Sequence, residues 1–317
     1  MSSAVNRGDN ICCVVLPGNM KTQYKQLKIA AIKNIEIVSQ VVTDITLRKK
    51  NLQSIATKVL LQLIAKRGNT LWVPRPTFEI SKTMLIGFDQ SKMGNGYLLS
   101  VCATINSTFS SVFSSTTFFD SNQNKYPKMT DLLLLAINSY VARNDKPPAE
   151  IIIFMNSCAG DQVSLYHEFF LEPFNKKARE IYPDNFIALS VVMINCKTSE
   201  RFFAGDRDQV RNVQAGTLIA EDLVSPNYDF YIISQQSNRG TSVPNHYRVI
   251  YSTSKLEEGK LQELTFSQCF NYVNWTGSIK VPAVLQYAKK CVKFGAEVME
   301  KNEVPESLTT KLYFVWR

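Results

Sequence analysis

Two rhythms of apolar residues alternate over the first 68 positions. The runs NICCVVLP (10–17) and EIVSQVVTD (36–44) are short and rich in β-branched side chains, which suits buried strands. MKTQYKQLKIAAIKN (20–34) and NLQSIATKVLLQLIAKRG (51–68) instead return apolar residues every three or four positions, the spacing of helices. In the latter, Leu52, Ile55, Val59, Leu60 and Leu63 form one apolar stripe, and Gly68 can take the left-handed conformation that closes a helix. This βαβα alternation predicts a small α/β unit with a parallel sheet.

WVPRPTFEIS (72–81) interrupts the pattern with two prolines, so a boundary is expected near residue 80, dividing the chain into 1–80 and 81–317. Three strands follow, TMLIGFDQ (83–90), GYLLSVCATIN (96–106) and SVFSSTTFF (111–119), close enough for an antiparallel meander. Then come the helix DLLLLAINSYVAR (131–143), the strand EIIIF (150–154) and a long helix from about Gln162. IALSVVMINC, YDFYIIS and YRVIYST supply further strands, and VPAVLQYAKKCVKFGAEVMEK (281–301) is a late amphipathic helix. An antiparallel front end joined to α/β units is the element order of an RNase H-like fold with a mixed sheet.

An apolar content of 45% excludes a chain disordered as a whole. The longest apolar runs, LLLLAI and IALSVVMI, fall far short of the roughly 20 residues a membrane-spanning helix needs. The opening MSSAVNRGDN lacks the basic-then-apolar order of a signal peptide, so an intracellular protein, cytoplasmic or nuclear, is expected, with no membrane partner. The seven cysteines are odd in number and include no CxxC. Cys12, Cys13, Cys102 and Cys196 sit in apolar or strand-like surroundings and read as buried, reduced thiols. With only His167 and His246 in the chain, a structural zinc site is not expected. Of the net charge of +9, the first 80 residues carry +8, from 12 basic and 4 acidic side chains. Such a segment attracts a polyanion, although a solvated basic face has the same composition.

Tyr24 and Lys28 share one helix face at i, i+4, and Lys58, Gln62 and Lys66 share another at i, i+4, i+8. If the two helices are neighbours, these faces converge with Gln40 of the intervening strand into a pocket of ammonium groups, amides and a phenol, which suits a terminal phosphate. Ordinary exposed polar faces would show the same spacing. In the second unit, Asp89 ends the strand that begins LIGF. Two-metal nuclease chemistry needs several carboxylates to hold Mg²⁺ ions about 4 Å apart. The neighbouring strand EIIIFMNSCAGDQ brings Asn156 to that level, and an amide oxygen is a weak, neutral ligand. Asp161 lies five residues further on, in the following loop.

LIGFD, EIIIFMNSCAGDQ, SVVMINCKTSERFF, GTLIAEDLVSPNYDFYIISQQSNRGTSVPNHYRVIY and NYVNWTGSIKVPAVLQYAK resemble successive blocks of the PIWI domain of the Argonaute and Piwi family, in order and at family spacing. The first 80 residues resemble the MID domain, and NWTGSIKVPAVLQYA with the LQLIAKRG helix looks closer to the Piwi branch. The N-terminal and PAZ domains of a complete member have no counterpart in these 317 residues. The resemblance implies a Rossmann-like MID domain (1–80) followed by an RNase H-like PIWI domain (81–317). It implies that Tyr24, Lys28, Gln40, Gln62 and Lys66 hold the 5′-phosphate of a small guide RNA. Gln62, where the Argonaute branch carries lysine, matches the Piwi version, which implies a Mg²⁺ ion at the phosphate that also uses the terminal carboxylate. Here the chain ends KLYFVWR, extended past the usual terminus.

The family's slicer centre uses Asp, Glu, Asp and His. Asp89 matches the first, Asn156 the second aspartate, and Lys289 in QYAKK the histidine. The glutamate falls near Asn124, in a stretch from Ser121 to Thr130 without an acid, and His246 in PNHYRV matches a different family histidine. The expectation is a guide-RNA-binding module acting in silencing without cleavage, with a complementary target RNA and silencing cofactor proteins as partners. Two alternatives stand beside it: a divergent slicer using Asp89 with Asp161 or another acid, and a protein-interaction scaffold without RNA.

Overall fold

The computed structural model describes residues 11–315 apart from 19, 79, 81, 158–161, 207–208, 222–228, 238 and 300–302. The N-terminal alternation forms as expected. Strand β1 (Ile11–Leu16) pairs in parallel with β2 (Val38–Thr43), and α1 (Lys21–Ile29), prolonged by a π-helical turn over Ala30–Asn34, connects them. A short α2 (Asp44–Leu47), capped by the Thr43 hydroxyl, leads to α3 (Leu52–Lys66), after which Gly68 takes a φ of +86°. The apolar stripe on α3 is only partly used. Ile55, Val59 and Leu63 are half-buried, whereas Leu52 and Leu60 are exposed on a flank of the helix that no described residue covers.

The remaining main strands are β3 (Thr83–Met93), β4 (Gly96–Thr104), β5 (Val112–Asp120), β6 (Glu150–Asn156) and β7 (Ala188–Asn195). After the two-residue strands β8 (Phe203–Ala204) and β9 (Arg211–Asn212) come β10 (Thr217–Ile219), β11 (Asp229–Ile233) and β12 (Asn245–Ser252). Eight of them make one mixed sheet in the order β10-β11-β12-β7-β6-β3-β4-β5. The meander β3-β4-β5 is antiparallel, while β3, β6 and β7 run parallel at the centre. Parallel strands require crossovers, supplied by α4 (Tyr126–Asn144) and by a helical stretch of α5 (Gln162–Tyr166), a π-turn and α6 (Glu172–Ile181). Helix α4 starts five residues earlier than its apolar run, since Pro127 suits a helix's first turn and the Asn124 side chain accepts the Tyr126 N–H.

Two cores sandwich this sheet. Side chains alternate by the period of two, so Leu85 and Ile152 point to one face and Met84, Ile86, Ile151 and Ile153 to the other. Strand β6 is buried on both faces, which is why EIIIFM reads as an unbroken apolar run. One core gathers α7 (Glu258–Gln268), α8 (Ala283–Phe294) and, from the first unit, Ile32, Val38 and Ala65; α4 and α6 cover the other. Helix α8 lies directly on β3 because position 87 is glycine: a Cβ there would collide with the Val284 carbonyl. The Ser100 hydroxyl ties the same junction, donating to the Ala288 carbonyl at 2.9 Å and to the Asp89 carbonyl at 3.2 Å. The thiols differ from expectation at one end of the chain. Cys102, Cys269 and Cys291 are buried and Cys12 and Cys196 half-buried, but Cys13 is exposed on a strand with a single paired neighbour; Cys158 lies outside the described residues. No helix among the described residues is long and apolar enough to cross a membrane.

Candidate functional site

Parallel pairing sets Gln40 of β2 beside Cys13 of β1, and α1 and α3 flank this pair. Tyr24, Lys28, Gln40, Lys58, Gln62 and Lys66 consequently line one cavity of about 380 Å³, together with Lys49, Thr43, Ile55 and, from far along the chain, Asn274. The two faces do converge, and two of the lysines are more deeply enclosed than the spacing alone indicates. Lys28 and Lys66 are only 2% and 1% accessible. Lys28 Nζ donates to the Ser39 carbonyl at 2.6 Å and to the Ser39 hydroxyl at 3.0 Å. Lys66 Nζ donates to the same carbonyl at 3.1 Å and to Gln40 Oε1 at 2.8 Å, and Gln40 Nε2 donates to Gln62 Oε1 at 2.9 Å.

Among the described residues, neither buried lysine has an ion-pair partner. Burial therefore drives the Lys28 pKa down to about 7, and burial plus the charge of Lys28 drives Lys66 well below its ordinary value. Tyr24 sits 5.7 Å from the Lys28 ammonium, measured to the ring centroid, and its hydroxyl is buried without a partner. Burial and the nearby Glu297 carboxylate raise the Tyr24 pKa. An electropositive cavity with unpaired polar groups is stabilised by an incoming anion, because the anion supplies the counter-charge the fold withholds.

The same donor set argues against the Mg²⁺ ion implied at Gln62. Four lysines and no carboxylate line the cavity, and Gln62 Oε1 already accepts from Gln40. The terminal residues 316–317 lie outside the described residues. Among the described residues, the donors do not fit a divalent cation.

A second constellation lies where β3 and β6 end. The Asn156 amide donates to Asp89 Oδ1 at 2.6 Å, and Lys289 of α8 is close enough for its charge to act on that carboxylate. Desolvation outweighs these stabilising contacts and leaves the Asp89 pKa above the ordinary carboxylate range. A cavity of about 240 Å³ adjoins them, with Lys125 donating to the Tyr166 hydroxyl at 2.8 Å on its wall. Asn124 is engaged in capping α4. His246 stands on β12, where it meets Asp229 at 3.2 Å and stacks on Tyr231, three strands away from β3. Asp161 lies outside the described residues. No three His, Cys, Asp or Glu side chains come together among the described residues. Among the described residues, an amide that donates to the one acid at this place, with a lysine nearby, does not fit a pair of Mg²⁺ ions.

A mixed eight-stranded sheet with helices on both faces, preceded by a parallel α/β pair, defines an RNase H-like α/β protein of the kind that forms the C-terminal lobe of Argonautes. A model of the Piwi domain matches residues 11–300, and the chain belongs to the Piwi family. Protein piwi of Drosophila melanogaster is 29% identical over 99% of the chain, which spans 37% of that relative's length. The crystal structure of Drosophila Piwi superposes with a TM-score of 0.87 at 27% identity, over 99% of this chain and 43% of that one. Kluyveromyces polysporus Argonaute, solved with a guide RNA, shares the fold with a TM-score of 0.82 at 19% identity, over 96% of this chain and 42% of that one.

Proposed function

We propose that this chain anchors the 5′-phosphorylated end of a small guide RNA in the lysine cavity. By this reading it also holds the guide paired to its target along the larger sheet without cutting, and so acts in silencing by occupancy or recruitment. The observation that carries the reading is the convergence of two buried ammonium groups, Lys28 and Lys66, on the single carbonyl oxygen of Ser39. Such an arrangement is costly when empty and becomes favourable when a phosphate takes the remaining donors. In this reading residues up to about 80 form the MID domain and the rest the PIWI domain, with Tyr24, Gln40 and Gln62 completing the phosphate's shell. Support also comes from the family, since a relative of the same fold was solved with a guide RNA.

The reading without cleavage is supported by Asn156 and Lys289 standing beside Asp89. The test of anchoring is a titration with otherwise identical 5′-phosphate and 5′-hydroxyl RNAs; equal affinities would refute it. Affinity is also expected to fall steeply with salt, as phosphate contacts release counterions. A guide-directed cleavage assay in Mg²⁺ or Mn²⁺ tests the second half: product that disappears in Asp89→Ala would identify a slicer instead.

A further inference from the structure

Trp275 lies beside the lysine cavity, next to two of its lining residues. Its chain neighbour Asn274 lines the cavity, and its own side chain is 45% exposed. Lys58, another lining residue, holds its ammonium 5.2 Å from the centre of the indole ring. Gly277 lies close against the ring: a Cβ there would stand 3.0 Å from the indole nitrogen. Trp72, by contrast, is half-buried and donates its indole N–H to the Phe270 carbonyl at 2.7 Å. An indole exposed on much of its surface and set beside a lysine that lines an anion-suited cavity has the features of a stacking platform for nucleobases.

We propose that Trp275 stacks on the base of one of the first nucleotides of the bound guide, while Lys58 pairs with the adjoining backbone phosphate. The inference rests on reading the cavity as the 5′-phosphate site. A strand whose terminal phosphate sits at Lys28 and Lys66 must leave through the mouth, past Lys58 and Trp275. There its next phosphate competes for the Lys58 ammonium, and a charge-assisted bond to phosphate is stronger than an exposed contact with an aromatic ring. The ammonium thereby leaves the indole, and the freed π-face receives a base of any identity. Stacking of this kind tolerates sequence, so it would add affinity without selecting a nucleotide.

The experiment measures affinity of the full chain for a 5′-phosphorylated guide RNA and for versions with a single abasic site at nucleotide 1, 2, 3 or 4. The proteins compared are the wild type, Trp275→Phe and Trp275→Leu. Trp275→Leu is expected to lose between about 5-fold and about 100-fold in affinity for the complete guide, and Trp275→Phe much less. At one abasic position the wild type should lose that same factor while Trp275→Leu loses nothing further. Abasic penalties that are the same in the wild type and in Trp275→Leu at every position would overturn the proposal, leaving Trp275 as a structural contact of Lys58. Equal wild-type affinity for 5′-phosphate and 5′-hydroxyl guides would instead strike at the reading of the cavity, whatever the abasic series shows. A thermal melt of each variant separates loss of folding from loss of stacking. Should Trp275→Leu fail to fold, quenching of 2-aminopurine at the stacked position, present in the wild type and weaker with Trp275→Phe, decides the question; no quenching at any position overturns the proposal.

Discussion

The cavity beneath β1 and β2 buries two ammonium groups and gives them no counter-ion, whereas the ends of β3 and β6 hold one carboxylate already answered by an amide and a lysine. Both places gather polar side chains at the ends of buried strands, yet only the first leaves its charge unsatisfied. The difference is one of electrostatic balance: burial without a counter-charge costs stability at the first place, while hydrogen bonding and an opposite charge answer the carboxylate at the second.

The contrast can be broken most directly at the lysines. Lys28→Met combined with Lys66→Met is expected to reduce the preference for 5′-phosphate over 5′-hydroxyl RNA by about 100-fold or more, as two charge-assisted bonds of about 1.5–3 kcal/mol each are lost. The same variant should melt at a higher temperature, because no ammonium remains to be desolvated. Weaker binding together with a lower melting temperature would mean that the lysines serve the fold instead.

Gly87→Ala probes the other side of the contrast. Its Cβ would push α8 off β3, at a cost of about 1–3 kcal/mol or more in denaturant unfolding, while the 5′-phosphate preference stays unchanged. A third expectation concerns pH. An unfolded lysine keeps its proton to about pH 10, but buried Lys28 gives it up near 7, so between these values the unfolded chain binds more protons and stability rises with pH. The melting-temperature advantage of Lys28→Met over the wild type should therefore be largest at pH 7 and below and shrink toward pH 9. Affinity for the 5′-phosphate should fall over the same interval. The smallest effect is expected at Asn156→Ala, about 1 kcal/mol in stability from the lost bond to Asp89 at an exposed site. Asn156→Asp with Lys289→His should instead gain a Mn²⁺-dependent rise in melting temperature that Asn156→Ala lacks.

Much of this arrangement is legible in the sequence, and the exceptions share a cause. Short β-branched runs and helical spacing report local structure, so the parallel β1–β2 pair, the meander and the buried β6 follow from pattern alone. The i, i+4 faces carrying Lys28 and Lys66 likewise report direction. Whether something covers a face is a tertiary fact that spacing does not report: Leu60 lies on the apolar stripe of α3 yet is exposed, while Lys66, on a polar face that could equally have been solvated, is buried. Asn274 and Trp275 could not be assigned to the cavity because some 200 residues separate them from α3. One signal was available: a tryptophan between polar neighbours in NWTG seldom belongs to a core.

The hydroxyl of Ser100 bridges backbone to backbone, from the Ala288 carbonyl on α8 to the Asp89 carbonyl on β3, and involves neither the Asp89 carboxylate nor the Lys289 ammonium. The tie that holds α8 to β3 beside positions 89 and 289 is thus independent of those two side chains, so either can be exchanged without removing it.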